Sequence, residues 1–136
     1  MKYDKSMKSE SNLSKAVKAV LLGTIIGTFF SILMLVISSF LFVKSQNIPA
    51  SVITPTTMFI IALSTFISGY VSARILKNNG LFWGMIAGFM MFSVVFIAGL
   101  MTFGGEISTL VLVKLTLMLL MGAIGGIAGV NKKTKR

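Results

Sequence analysis

Met121-Gly122-Ala123-Ile124-Gly125-Gly126-Ile127-Ala128-Gly129-Val130 is the stretch whose reading decides the fold. Each glycine would cost a helix in water about 1 kcal/mol against alanine. In lipid no water competes for the backbone, and small residues let neighbouring helices approach closely. The run ends an apolar segment, residues 107–130, that holds one charge, Lys114. It reads as a membrane span with a packing face for other spans.

The rest of the chain fits that solvent. Of 136 residues, 55% are hydrophobic and the mean hydropathy is +0.93, too apolar for a domain folded in water. Three more apolar segments precede the last one, at about residues 19–43, 55–73 and 81–103. Each is long enough to cross about 30 Å of hydrocarbon. The first is too long for a signal-peptide core and runs into Lys44-Ser45-Gln46-Asn47, so it reads as a retained span. The expected fold is all-α, with four transmembrane helices, a basic leader (1–18) and a basic tail (132–136).

Between the spans, local signals set expected boundaries. The leader is expected to be a loose tail, with Ser11 or Asn12 capping the first helix. Lys44–Thr54 reads as a polar loop, with Thr54 as cap and Pro55 at the first helical position. Asn78-Asn79-Gly80 reads as a terminator of the second helix.

Charge sets the expected orientation. Eleven of the thirteen Lys and Arg residues fall in the leader, the 74–77 turn or the tail, against Lys44 alone in an outer loop. The positive-inside rule then places both termini in the cytoplasm of a cell membrane. A net charge of +10 distributed this way points to an anionic inner leaflet, and no nucleic-acid module is visible.

Enzyme chemistry lacks parts. There is no Cys or His, and the three acids Asp4, Glu10 and Glu106 form no pair. None of Ser64, Ser68 and Ser72 has a base within reach, and the glycine runs lack the Lys-Ser/Thr of a phosphate loop. No catalytic residue, cofactor or metal site is expected.

Small residues instead recur at four-residue spacing: Gly23/Gly27, Ser64/Ser68/Ser72 with Gly69, Gly84/Gly88, and Gly122/Gly126 with Gly125/Gly129. All lie in the half of each span that the charge rule puts near the cytoplasm, while Phe40, Phe42, Phe59, Phe96 and Phe103 fill the other half. The helices are expected to converge at one end and splay at the other. The serines read as interhelical glue, and the glycine faces as surfaces for self-association or for docking to a larger membrane protein.

The two helical hairpins read as copies. Gly23–Gly27 matches Gly84–Gly88 at a shift of 61, and Ile67–Arg74 matches Ile124–Asn131 at a shift of 57. Such a repeat would place a pseudo-twofold axis along the membrane normal.

Lys114 carries two readings. It shares a helix face with Gly122, Gly125 and Gly129, as a functional charge near an outer vestibule of a small oligomeric transporter or channel would. It also lies close enough to the span's end for its amine to snorkel out. Glu106, eight residues away, is a marginal partner.

The layout resembles the YrzE-like family of small bacterial membrane proteins of unknown function. The resemblance covers about residues 15–131 and rests on a basic leader before an apolar span and on three stretches: Ile67-Ser68-Gly69-Tyr70-Val71-Ser72-Ala73-Arg74, Gly80-Leu81-Phe82-Trp83-Gly84-Met85-Ile86-Ala87-Gly88, and Gly122 to Asn131. It implies four spans in the inner membrane and a faint link to protein export, and it brings no catalytic residues.

Overall fold

The computed structural model describes residues 2–104 and 108–131, so Glu106 and the basic tail lie outside the described residues. Four helices follow one another: α1 (Lys2–Lys44), α2 (Ala50–Leu76), α3 (Gly80–Phe103) and α4 (Thr109–Asn131). All four are long and apolar enough to cross a membrane. They run up and down alternately: Gly23 meets Ser68 and Ser72, while Gly84 meets Gly122 and Gly126, so each hairpin is antiparallel.

α1 overturns the loose leader. It begins at Lys2 and runs unbroken for 43 residues. No Gly or Pro occurs before Gly23, so nothing stops the helix from propagating outward from its lipid-embedded part. Ser11 and Asn12 are therefore interior positions, not caps. At 1.5 Å per residue α1 is about 65 Å long, roughly twice the hydrocarbon thickness.

Two further boundaries differ from expectation. α2 starts at Ala50 with Pro49 at the N-cap position, so Pro55 is inside the helix and not at its first residue. It stops at Lys77, whose backbone turns left-handed (φ 62°) while its N–H donates to the Ala73 carbonyl at 2.9 Å. Gly80 is the first residue of α3, after a left-handed Asn79, and does not terminate α2. Lysine is an uncommon left-handed cap, which is why composition pointed past it.

The central element is α2. It packs against α1, α3 and α4, whereas α4, with its glycine run, packs only against α2 and α3. α1 and α4 do not touch among the described residues. A twofold axis relating the hairpins would pair α1 with α4 as it pairs α3 with α2. The contacts are therefore not twofold, and the expected axis is absent.

Burial is confined to one end. Among the described residues, every buried one lies within 16–31, 60–73, 80–91 or 118–129. Met91 and Met118, both fully buried, sit at the last positions of the close-packed zone in their helices. Beyond them Phe40, Phe59 and Met101 are largely exposed, facing what lipid or a partner would occupy.

Candidate functional site: the glycine and serine seam

The closely packed end is built from three seams, each made by a missing side chain. Between α1 and α2, a Cβ on Gly23 would collide with Ser72 Oγ and lie 2.7 Å from the Ser68 carbonyl oxygen. One on Gly27 would come within 2.8 Å of Ser68 Cβ and 3.0 Å of the Ser64 carbonyl oxygen. Between α3 and α4, Gly84 faces the carbonyl of Gly122, and Gly88 would meet the Met118 carbonyl oxygen at 2.7 Å. Between α2 and α4, Gly69 faces Gly122, Gly125 faces the carbonyl of Phe66, and Gly129 would approach the Tyr70 carbonyl oxygen to 2.5 Å. Backbone cannot retreat as a side chain can, so these contacts require glycine.

The two hairpins use one register, though not the register the sequence suggested. Gly23 and Gly27 pair with Ser64, Ser68 and Ser72; Gly84 and Gly88 pair with Met118, Gly122 and Gly126. The second helices are thus related by a shift of 54 residues, three fewer than the matched motifs implied. Three residues make nearly one turn, so the sequence match had chosen the adjacent turn of the right face.

All the small residues singled out from the sequence are buried inside this single chain: Gly23, Gly27, Ser64, Ser68, Gly69, Ser72, Gly84, Gly88, Gly122, Gly125, Gly126 and Gly129. That corrects their expected use. A face filled by the chain's own helices is not free to dock a second protein. Gly80 belongs to the same seam, with Gly126 and Val130 against it. Its four-residue spacing from Gly84 was the available signal, hidden by reading Gly80 as a terminator.

The hydroxyls also act differently from interhelical glue. Ser64, Thr65 and Ser72 donate to Ile60, Ile61 and Ser68 carbonyls one turn back, at 2.8, 2.7 and 2.8 Å. In an apolar medium with no free acceptor opposite, a serine satisfies itself on its own helix. Ser68 Oγ is buried without a hydrogen-bond partner. Thr28 Oγ1 likewise donates to the Thr24 carbonyl within α1 at 2.7 Å, and across helices it lies 3.5 Å from Met91 Sδ on α3.

Cationic and aromatic side chains meet at the packed end. The Arg74 guanidinium lies 5.8 Å from the centre of the Tyr70 ring and donates to Tyr70 Oη at 3.1 Å. Phe82 and Trp83 meet edge to face, with 5.6 Å between centroids. Such residues mark a membrane–water boundary. Lys114 lies elsewhere, half-buried in the splayed half, one turn from Met118. From Thr109, where α4 begins, it is about 7.5 Å along the axis.

Four apolar spanning helices locked along small-residue seams define a small multi-pass membrane protein. The chain belongs to the family described as "Protein of unknown function (DUF3792)", whose model matches residues 16–129. That match begins at Ala16, the first buried residue among those described, and ends at the last seam glycine, Gly129. No curated protein and no solved structure matches the chain.

Proposed function

We propose that the protein is an accessory or structural subunit of the cell membrane, with both termini cytoplasmic, that docks a second copy or a larger membrane protein through its splayed half. The observation that carries this reading is the confinement of burial to one end. The seam gives a rigid base, and the apolar faces beyond Met91 and Met118 are left unpacked within the chain. The resemblance to YrzE-like proteins, with its link to export, belongs to the same reading.

A photoreactive residue in place of Phe40, Met101 or Leu112 should form protein adducts in native membranes. The same residue in place of Ile127, on the lipid side of the packed end, should not. Adducts absent from the splayed half, or equally abundant from both ends, would overturn the docking role.

A second reading, a small oligomeric transporter or channel, rests on Lys114, a half-buried cation in the unpacked half. It requires solute or ion flux in liposomes that Lys114→Ala alters. Flux equal to that of empty vesicles removes it.

A further inference from the structure

Beside the packed end, the outward-running part of α1 passes Trp83 and borders two open clefts. One, of about 460 Å³, is lined by Asn12, Lys15 and Lys18 together with Leu22, Ile75 and Trp83. The other, of about 570 Å³, is lined by Lys5, Lys8, Ser9, Asn12, Leu13 and Trp83. They share Asn12 and Trp83, so they form one continuous groove. On the helix, Lys5, Lys8, Asn12 and Lys15 make a single stripe within about 80°. Glu10 lies about 140–160° away from each of them, on the far side. Four lysines thus line a groove with no acidic residue among its described lining residues.

We infer that this groove is a binding site for the phosphate-bearing headgroup of an anionic phospholipid. Charge complementarity selects an anion, and the rest of the lining selects a lipid. Ala19, Leu22, Ile75 and Leu76 give the inner cavity an apolar side. A free phosphate has no use for it, whereas an acyl chain entering from the bilayer does. Trp83 stands where headgroup and chain meet, the level at which indole rings settle. Asn79 makes no side-chain cap on α3, so the first-turn amides between Asn78 and Trp83 add positive potential. The site lies at the opposite end from the proposed docking surface and does not depend on it.

Trp83 is the only tryptophan, so its fluorescence reports on the groove alone. The full chain is reconstituted in phosphatidylcholine vesicles containing either brominated phosphatidylcholine or brominated phosphatidylglycerol at equal mole fraction. The brominated phosphatidylglycerol should quench Trp83 as though enriched roughly fivefold. In the variant Met7→Lys/Lys8→Gln/Ser14→Lys/Lys15→Gln, each of two charges moves one residue along and about 100° round α1 at unchanged net charge. Enrichment there should fall towards parity, with circular dichroism and vesicle incorporation unchanged. Lys8→Gln/Lys15→Gln alone should lose the preference to a similar extent. Equal quenching by the two lipids, or a preference that survives relocation of the charges, would overturn the site. Displacement of the lipid by soluble glycerol phosphate at similar concentration would assign the groove to a free anion instead. A polyglutamate peptide shifting Trp83 emission where phosphatidylglycerol does not would assign it to an acidic protein segment. Either result rejects the lipid.

Discussion

Gly84 and Gly122 face each other so closely that each one's carbonyl oxygen occupies the place of the other's missing Cβ. A Cβ on Gly122 would lie 2.5 Å from the Gly84 oxygen and 2.9 Å from Gly88 Cα. Gly122 also stands against Gly69, so α2, α3 and α4 meet at this one residue. Closeness of this kind supplies the dispersion contacts that hold spans together where no hydrophobic effect acts between them.

A single methyl at that junction must therefore push helices apart. Gly122→Ala and Gly126→Ala are each expected to destabilise the fold by about 1–3 kcal/mol, as overpacking does elsewhere. Gly99, on α3 in the splayed half, has open space around it. Gly99→Ala should be neutral or stabilise by up to about 1 kcal/mol through helix propensity. Reversible unfolding in mixed detergent micelles measures all three. Equal effects at Gly99 and Gly122 would refute the seam.

At Gly23 the obstruction is partly a side chain. Ser72 Oγ fills the space, held by its bond to the Ser68 carbonyl at 2.8 Å. Gly23→Ala should destabilise, and Ser72→Gly in the same chain should restore part of the loss. A double-mutant cycle should give a coupling of about 0.5–3 kcal/mol. Full additivity of the two changes would mean that α1 and α2 are not in contact at this level.

The fold was legible because its signals were lipid-scale: four long apolar runs, three without a charge and one with Lys114 alone, and basic residues clustered at their ends. The seam residues were legible too, because glycine at four-residue spacing has few other uses inside a bilayer. What the seam served was not legible. Spacing places Gly122 and Gly126 on one face, but it does not say whether α3 or another protein lies opposite. Boundaries failed where a neighbour outweighed local preference, as at Lys77, which takes the left-handed cap that Asn or Gly would be expected to fill. The groove beside Trp83 could not be foreseen while residues 2–18 were read as a tail, since only a helix collects Lys5, Lys8 and Lys15 into one stripe.

Ser68 makes an unusual forecast because its hydroxyl has no partner. Removing a buried, unsatisfied donor costs little and relieves its desolvation penalty. Ser68→Ala should leave stability unchanged or raise it by about 1 kcal/mol. Ser68→Val should lower it, because Gly27 leaves no room beside Ser68 Cβ. The same unfolding assay decides; a clear loss in Ser68→Ala would show that the hydroxyl is bonded after all.

Orientation can be read with cysteines, because the chain has none of its own. Asn47 precedes α2 and Asn78 follows it, so the two lie at opposite ends of that helix. In intact cells a membrane-impermeant maleimide should label Asn47→Cys and spare Asn78→Cys until the membrane is permeabilised. The reverse pattern would turn the protein over, and labelling of both would remove α2 from the membrane.

Pro55 sets how firmly the splayed end of α2 is held. It sits inside the helix without an N–H, so the Ser51 carbonyl loses the donor that an α-helix would bring to it. Thr56 and Thr57 hydroxyls bond to Val52 and Ile53 carbonyls at 2.7 and 2.9 Å, adding acceptor satisfaction but no backbone bond. The turn from Ala50 to Thr54 should open more readily than the body of the helix beyond it. Pro55→Ala restores the missing bond, and amide exchange at Thr54 and Thr56 should slow by roughly ten- to a hundredfold. If exchange there is already as slow as at Ser64, or does not change on substitution, this end of α2 is held by packing that the chain alone does not supply. That outcome would itself call for a partner seated on the splayed half.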